Sequence, residues 1–290
     1  MKLRLQAAGA FTARRHGHGA AVCACTGFGH SQTTRELIHP LMANIVLAHG
    51  IAGCGNIFRF RHGFYFNRVA KLYTSKGHTV LEPTVAALGS LATRSDQLAR
   101  AIKAKWPSDE PIHIVCHSMG GLDSRRMMAL DNAMALRVKT LITIATPHLG
   151  SPLASALCAG RFMPKWIARF IKRLAPACQD LQSRTALQDA DQPLVKYITI
   201  ACQRDEGLTA SPLFAFSRLL GGLTRHKNDG VVEFASASPA QNLPVIFWPV
   251  DHGSAIGWPS GYCMLAVVPA VFRPPAAHLG RYEALLDFMI

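Results

Sequence analysis

A chain of 290 residues, 49% hydrophobic and 17% charged, can bury a sizeable core and fits one large α/β domain. Its formal charge is +14; five cations and one carboxylate in residues 1–41 account for +4 and leave +10 for the remainder. A basic surface favours acidic partners, but no zinc-finger spacing or Gly-Lys-Ser/Thr phosphate loop accompanies it, and no nucleic-acid partner is expected.

In chain order, residues 1–41 are rich in Arg, Gly, Ala, Ser and Thr, and their longest apolar run, Ala20 to Cys25, is too short for a signal-peptide core. They are expected to be a disordered extension ahead of a domain spanning 42–290, with Met42 an alternative start. The eight cysteines are scattered without a C-x-x-C pair, so no metal site is expected, and the scatter leans towards a reducing, cytoplasmic compartment. No apolar stretch is long enough to span a membrane.

The first predicted strand, 44–48, runs into His49-Gly50-Ile51-Ala52-Gly53. A glycine-flanked loop after a strand lets backbone amides point inward, where they can meet the negative oxygen of a tetrahedral intermediate. The Ile51 N–H is the candidate donor. Helical patterns follow at 63–75 and 94–106, either side of a strand at 78–82. The strand at 112–116 then enters Cys116-His117-Ser118-Met119-Gly120-Gly121, a turn into a helix over 120–130. This matches the G-x-S-x-G elbow except that Cys116 replaces the first glycine. Ser118 is the candidate nucleophile, and the Met119 N–H the second oxyanion donor.

Beyond a strand at 139–145, a helix is expected over 153–174. Phe162, Met163, Trp166, Ile167, Phe170, Ile171 and Leu174 fall on one stripe of it, and Lys165, Arg169, Lys172 and Arg173 on the other. Such a helix can dock on an anionic lipid interface, so peripheral contact through 162–174 is expected. Strands at 195–201 and 244–248 and a helix at 280–289 complete the pattern. Continuous apolar strands alternating with helices predict a doubly wound, mainly parallel sheet.

Three segments together, L-A-H-G-I-A-G, H-S-M-G-G-L-D-S-R (117–125) and I-A-T-P-H-L-G-S-P (144–152), resemble the bacterial lipase/esterase group of the α/β-hydrolase superfamily. The resemblance covers residues 42–290 and implies the α/β-hydrolase fold, with about 150–190 as a helical cap or lid. It implies a serine hydrolase of lipid or other carboxylic esters, without a cofactor. The nucleophile of this fold is followed along the chain by an acid and then a histidine. His252, just after the strand at 244–248, is the expected base; His278 is expected on the surface. Asp229, in Asn228-Asp229-Gly230-Val231-Val232, is the expected acid and Asp205 its rival; Asp251 adjoins His252 too closely to serve. Asp123 and Arg125 are expected to pair, and His49 and His117 to bond the backbone. Some related lipases hold calcium through an aspartate two residues after the histidine; Ser254 stands there, so no calcium site is carried over. Short-chain esterase, acyltransferase and a non-catalytic membrane- or partner-binding role stand as alternatives. Oligomeric state is unassigned.

Overall fold

The computed structural model describes residues 42–51, 65–160, 164–182, 189–204, 227–238, 245–257 and 277–289. The extension over 1–41 and the rival acid Asp205 lie outside them. The six strands are β1 Asn44–Ala48, β2 Thr79–Leu81, β3 Ile112–His117, β4 Val138–Ile144, β5 Lys196–Cys202 and β6 Val245–Trp248. Every pairing is parallel, in the order β2-β1-β3-β4-β5-β6. The chain moves outward from β1 to β2, then returns past β1 to β3. That reversal places a crevice between the carboxyl ends of β1 and β3, the usual ligand site of an open parallel sheet. This is the α/β-hydrolase fold.

Both faces of the sheet are buried, which is why the strands read as unbroken apolar runs. Ile45, Leu47, Val115, Ile142, Ile144, Ile198 and Ile200 join one core with Phe66, Tyr73, Trp248 and Tyr282. Val46, Ala48, Ile112, Ile114, Cys116 and Leu141 join the other with Leu98, Ile102, Met127 and Met128.

The helices that position the site are α1 Val69–Ser75, α2 Leu91–Lys105 and α3 Met119–Leu130, followed by α4 Asn132–Arg137. The first starts later than the pattern from 63 predicts, because Asn67 and Arg68 both adopt positive φ (37° and 69°). The second starts earlier, at Leu91, because Ser90 accepts a capping bond from the Thr93 N–H.

The helix expected over 153–174 is instead α5 Pro152–Ala159 and α6 Lys165–Leu174. Gly160 ends α5 in the left-handed conformation (φ 71°), its N–H turned back on Ala156 O and Leu157 O. With α7 Pro176–Asp180, these helices form an insertion between β4 and β5. Its roots are bonded to the main body. Ser151 N donates to Leu181 O (2.8 Å) and Ala177 N to Leu88 O (3.3 Å), while the Asp180 carboxylate accepts from Leu91 N (2.6 Å). Ala154, Ala177 and Leu181 pack on Met119 and Leu122 of α3.

The C-terminal segment, with α8 Phe234–Ala237 before it and α9 Ala277–Glu283 within it, closes the first core. Tyr73 Oη donates to Tyr282 O at 2.9 Å. His278 is buried here rather than on the surface, its Nε2–H donating to Asn67 O at 2.8 Å.

The start of α3 presses on the end of β1: a Cβ on Gly120 would stand 2.4 Å from Ala48 O. Gly120→Ala is therefore expected to destabilise by about 1–3 kcal/mol or more. Gly280→Ala, where a Cβ meets open space, is expected to be neutral or to stabilise by up to about 1 kcal/mol through helix propensity. Urea denaturation of the two variants measures the contrast.

Candidate active site

Ser118 caps α3 with φ 55° and ψ −130°, a sparsely populated conformation for a residue with a side chain. Neighbouring strands hold it there. Its N–H donates to Ile144 O at 2.9 Å, and its carbonyl accepts from Gly121 N at 3.1 Å. From β1, Gly50 comes so near that a Cβ would stand 2.7 Å from Ser118 Cβ. Cys116, in place of the elbow's usual glycine, is fully buried, and its thiol donates to Ile142 O at 3.1 Å. Burial lifts that thiol far above its ordinary range, so it stays protonated.

His252 follows β6 in the turn 251–253. Its Nδ1–H donates to Asp229 Oδ2 at 2.7 Å, and its backbone N–H to Asp229 O at 3.0 Å. The other oxygen, Asp229 Oδ1, accepts from Val231 N (2.9 Å) and Val232 N (2.7 Å). Each carboxylate oxygen is thus occupied, and the Nδ1 bond to Asp229 orients the imidazole, with Nε2 on the far side of the ring from the acid. The third motif braces this turn: Ser151 Oγ donates to Val231 O (2.9 Å), and Ser236 Oγ to Gly150 O (2.7 Å). Asp251 is used elsewhere. It accepts from Ser254 N at 2.7 Å and pairs with Arg204 at 3.2 Å.

The His252 ring lies 4.5 Å from that of His117, the residue before Ser118. Among the described residues, Ser118 Oγ and His252 Nε2 have no hydrogen-bond partner, so their mutual bond is not formed here. The amides of Ile51 and Met119 likewise have no acceptor. Ile51 packs against the apolar cluster that includes Met119, the residue after Ser118. The Met119 amide also belongs to the α3 amino terminus, whose dipole favours negative charge.

A buried polar frame supports the loop after β1. Arg94, with no exposed surface, binds both oxygens of Asp123 and donates to His49 O (2.8 Å) and Ala86 O (2.8 Å). Burial raises the Asp123 carboxyl to about 6 against the pull of Arg94, so it is ionised at neutral pH. Asp123 therefore pairs with Arg94 and not with Arg125, whose guanidinium binds Asp191. Residues two apart on a helix point to opposite sides of it, and α2 brings Arg94 to Asp123 instead. His49 Nδ1–H donates to Gly50 O (2.8 Å), and its Nε2 accepts from Val85 N (3.1 Å).

Tyr65 is the residue that sequence reasoning missed. Its hydroxyl lies 3.0 Å from Gly50 N and 2.8 Å from His117 Nδ1. It comes from the segment after the loop, where only the aromatic triplet Phe64-Tyr65-Phe66 marks it.

Residues 70–182 match the family model described as a PGAP1-like alpha/beta domain. Over 150 residues the chain is 30% identical to triacylglycerol lipase 2 of Saccharomyces cerevisiae, covering 48% of this chain and 45% of that protein. The chain spans less than half the length of the curated relatives it matches. Bacillus licheniformis lipase BlEst2 in mature form is 26% identical, with a TM-score of 0.59 over 75% of this chain and 87% of that one. The metagenomic carboxyl esterase MGS0156, 18% identical, shares the fold with a TM-score of 0.62 over 86% of this chain and 76% of that one. These likenesses support a lipase- or esterase-like α/β hydrolase. They include a yeast protein as well as a Bacillus lipase, so they do not single out the bacterial group.

Two predictions concern the frame. Arg94→Met leaves Asp123 buried and unpaired and is expected to cost about 3–5 kcal/mol; urea titration should find most of this restored in Arg94→Met/Asp123→Leu. The second is acid lability. Burial lowers His49 to about 4, His148 to about 3 and His117 well below its ordinary value. These groups stay neutral in the folded chain while the unfolded chain takes up protons through the usual value near 6.5. Their contribution is full above that value and is lost as pH falls towards the folded values. Asp123, raised to about 6, works in the opposite direction as pH falls through 6, but it is one group against three. Thermal melts should show Tm falling from pH 7.5 to pH 5, with net proton uptake on unfolding.

Proposed function

We propose that the chain is a serine hydrolase of carboxylic esters, lipase-like in preferring acylglycerol or other lipid esters. The observation that carries the reading is the buried Asp229–His252 bond of 2.7 Å, in a loop tied to the residue that precedes an elbow serine. Ser118 Oγ attacks the ester carbonyl as His252 Nε2 takes its proton, and the Asp229 carboxylate stabilises the resulting imidazolium. The Ile51 and Met119 amides hold the oxyanion of the tetrahedral intermediate. The imidazolium then protonates the departing alcohol, leaving the acyl group on Ser118. Water, deprotonated by the same His252 nitrogen, attacks the acyl-enzyme and releases the acid. In unliganded enzymes the serine–histidine hydrogen bond is often long and tightens once substrate is bound. The residues invoked need no cofactor.

The insertion supports the lipid preference. On α6, Trp166 is 68% exposed and Leu174 56% exposed, with Arg169 and Arg173 also at the surface. An apolar stripe flanked by cations suits an anionic ester-lipid interface. Phe162 and Met163 lie outside the described residues.

A fluorophosphonate probe is expected to label the chain, and Ser118→Ala to abolish both labelling and turnover. Asp229→Asn should cut kcat by about 10⁴-fold, as a wrong histidine tautomer does elsewhere. Emulsified long-chain esters should be hydrolysed faster than dissolved short-chain ones. An unlabelled, folded chain would favour a binding role instead.

A further inference from the structure

We propose that Tyr65 and His117 form a positioning relay that locks the loop bearing the oxyanion donor Ile51 to the loop bearing His252. This rests on the hydrolase reading above and deepens it.

The direction of each bond follows from its fixed end. His117 Nε2 lies 3.0 Å from His252 O, a carbonyl that can only accept, so Nε2 carries the hydrogen. The neutral ring then leaves Nδ1 as an acceptor, and the Tyr65 hydroxyl 2.8 Å away must donate to it. With its proton committed, Tyr65 Oη receives the Gly50 N–H at 3.0 Å. The chain runs one way, from the Gly50 amide through Tyr65 and His117 to the carbonyl of His252. His117 is 1% exposed, and burial together with nearby His252 holds it neutral, so this tautomer persists through the working range.

A second tie joins the Tyr65 segment to the residues that follow His252 and to the terminal helix. Asn67 Nδ2 donates to Gly257 O at 2.7 Å, and the Asn67 carbonyl accepts from His278 Nε2 at 2.8 Å. These bonds hold Asn67, two residues after Tyr65, where Asn67 and Arg68 adopt positive φ. Sub-ångström placement of oxyanion donors and general base governs acyl transfer, so a link between them acts on turnover. Neither relay side chain needs to touch substrate.

The test measures turnover per active site, titrated with the fluorophosphonate, on a soluble nitrophenyl ester. Tyr65→Phe keeps the ring, removes the hydroxyl, and is expected to lower kcat 10- to 100-fold with KM within about twofold. His117→Phe should do the same. The double variant should be no more than about twofold worse than the weaker single, because a series link is broken by either cut. A purely structural role would lower Tm and the number of titratable sites but leave turnover per site unchanged. Unchanged turnover in Tyr65→Phe, or effects that multiply in the double variant, would overturn the relay. If His117→Phe does not fold, Tyr65→Phe alone decides. Full activity in Ser118→Ala would overturn the hydrolase reading itself, whereas its inactivity beside a fully active Tyr65→Phe removes the relay alone.

Discussion

The approach of the α3 start to the end of β1 is the constraint on which the rest depends. At Gly120 the helix backbone reaches the Ala48 carbonyl with no room for a Cβ. To enter the helix there, the chain must turn within one residue of β3, and Ser118 takes the strained conformation that this requires. Gly50 meets the same demand from the other side, where any side chain would strike Ser118. Three positions that are separate along the chain are one steric requirement in space. Meeting it brings the start of α3 and the loop after β1 beside the same serine.

Such a crevice needs polar groups far below the surface, and an unpaired one there is costly. The fold answers with direct protein–protein bonds of fixed direction. Arg94 spends its guanidinium on a carboxylate and two carbonyls. His49 and His117 have partners on both ring nitrogens, and His252 is held through Nδ1 by Asp229. The same low dielectric that makes these groups expensive to bury also makes their bonds stiff. Preorganisation and acid lability therefore have one origin in this molecule.

The strands were legible because a parallel sheet buried on both faces leaves an unmistakable apolar run, and predicted boundaries differ from the observed ones by a residue or so. Helix ends were less so. Gly160 ends α5 inside the span expected to be one helix, and the late start of α1 depends on Asn67 and Arg68 taking a conformation usually left to glycine. Contacts between distant elements were not legible. Arg94 and Asp123 are 29 positions apart, and neither residue's surroundings announce the other. His278 looked like a surface residue because it precedes the helix expected at 280–289, yet it is buried within the observed terminal helix. At the candidate site, motif order placed Ser118, Asp229 and His252 on adjoining loops. Tyr65 has no motif, since its role arises only when its segment comes to lie beside His117.

The bonds at the two roots of the insertion have a consequence for how such a molecule can diversify. Ser151, Ala177 and Asp180 fasten its ends to the main body, beside the elbow helix. Between the roots α5 and α7 pack towards α3, whereas α6 turns Trp166 and Leu174 outward, so its outer face can change in polarity with little effect on the framework beneath. Descendants of one scaffold can thus acquire new preferences by exchanging a single cassette, while selection on Gly50, Ser118 and Gly120 stays unrelieved.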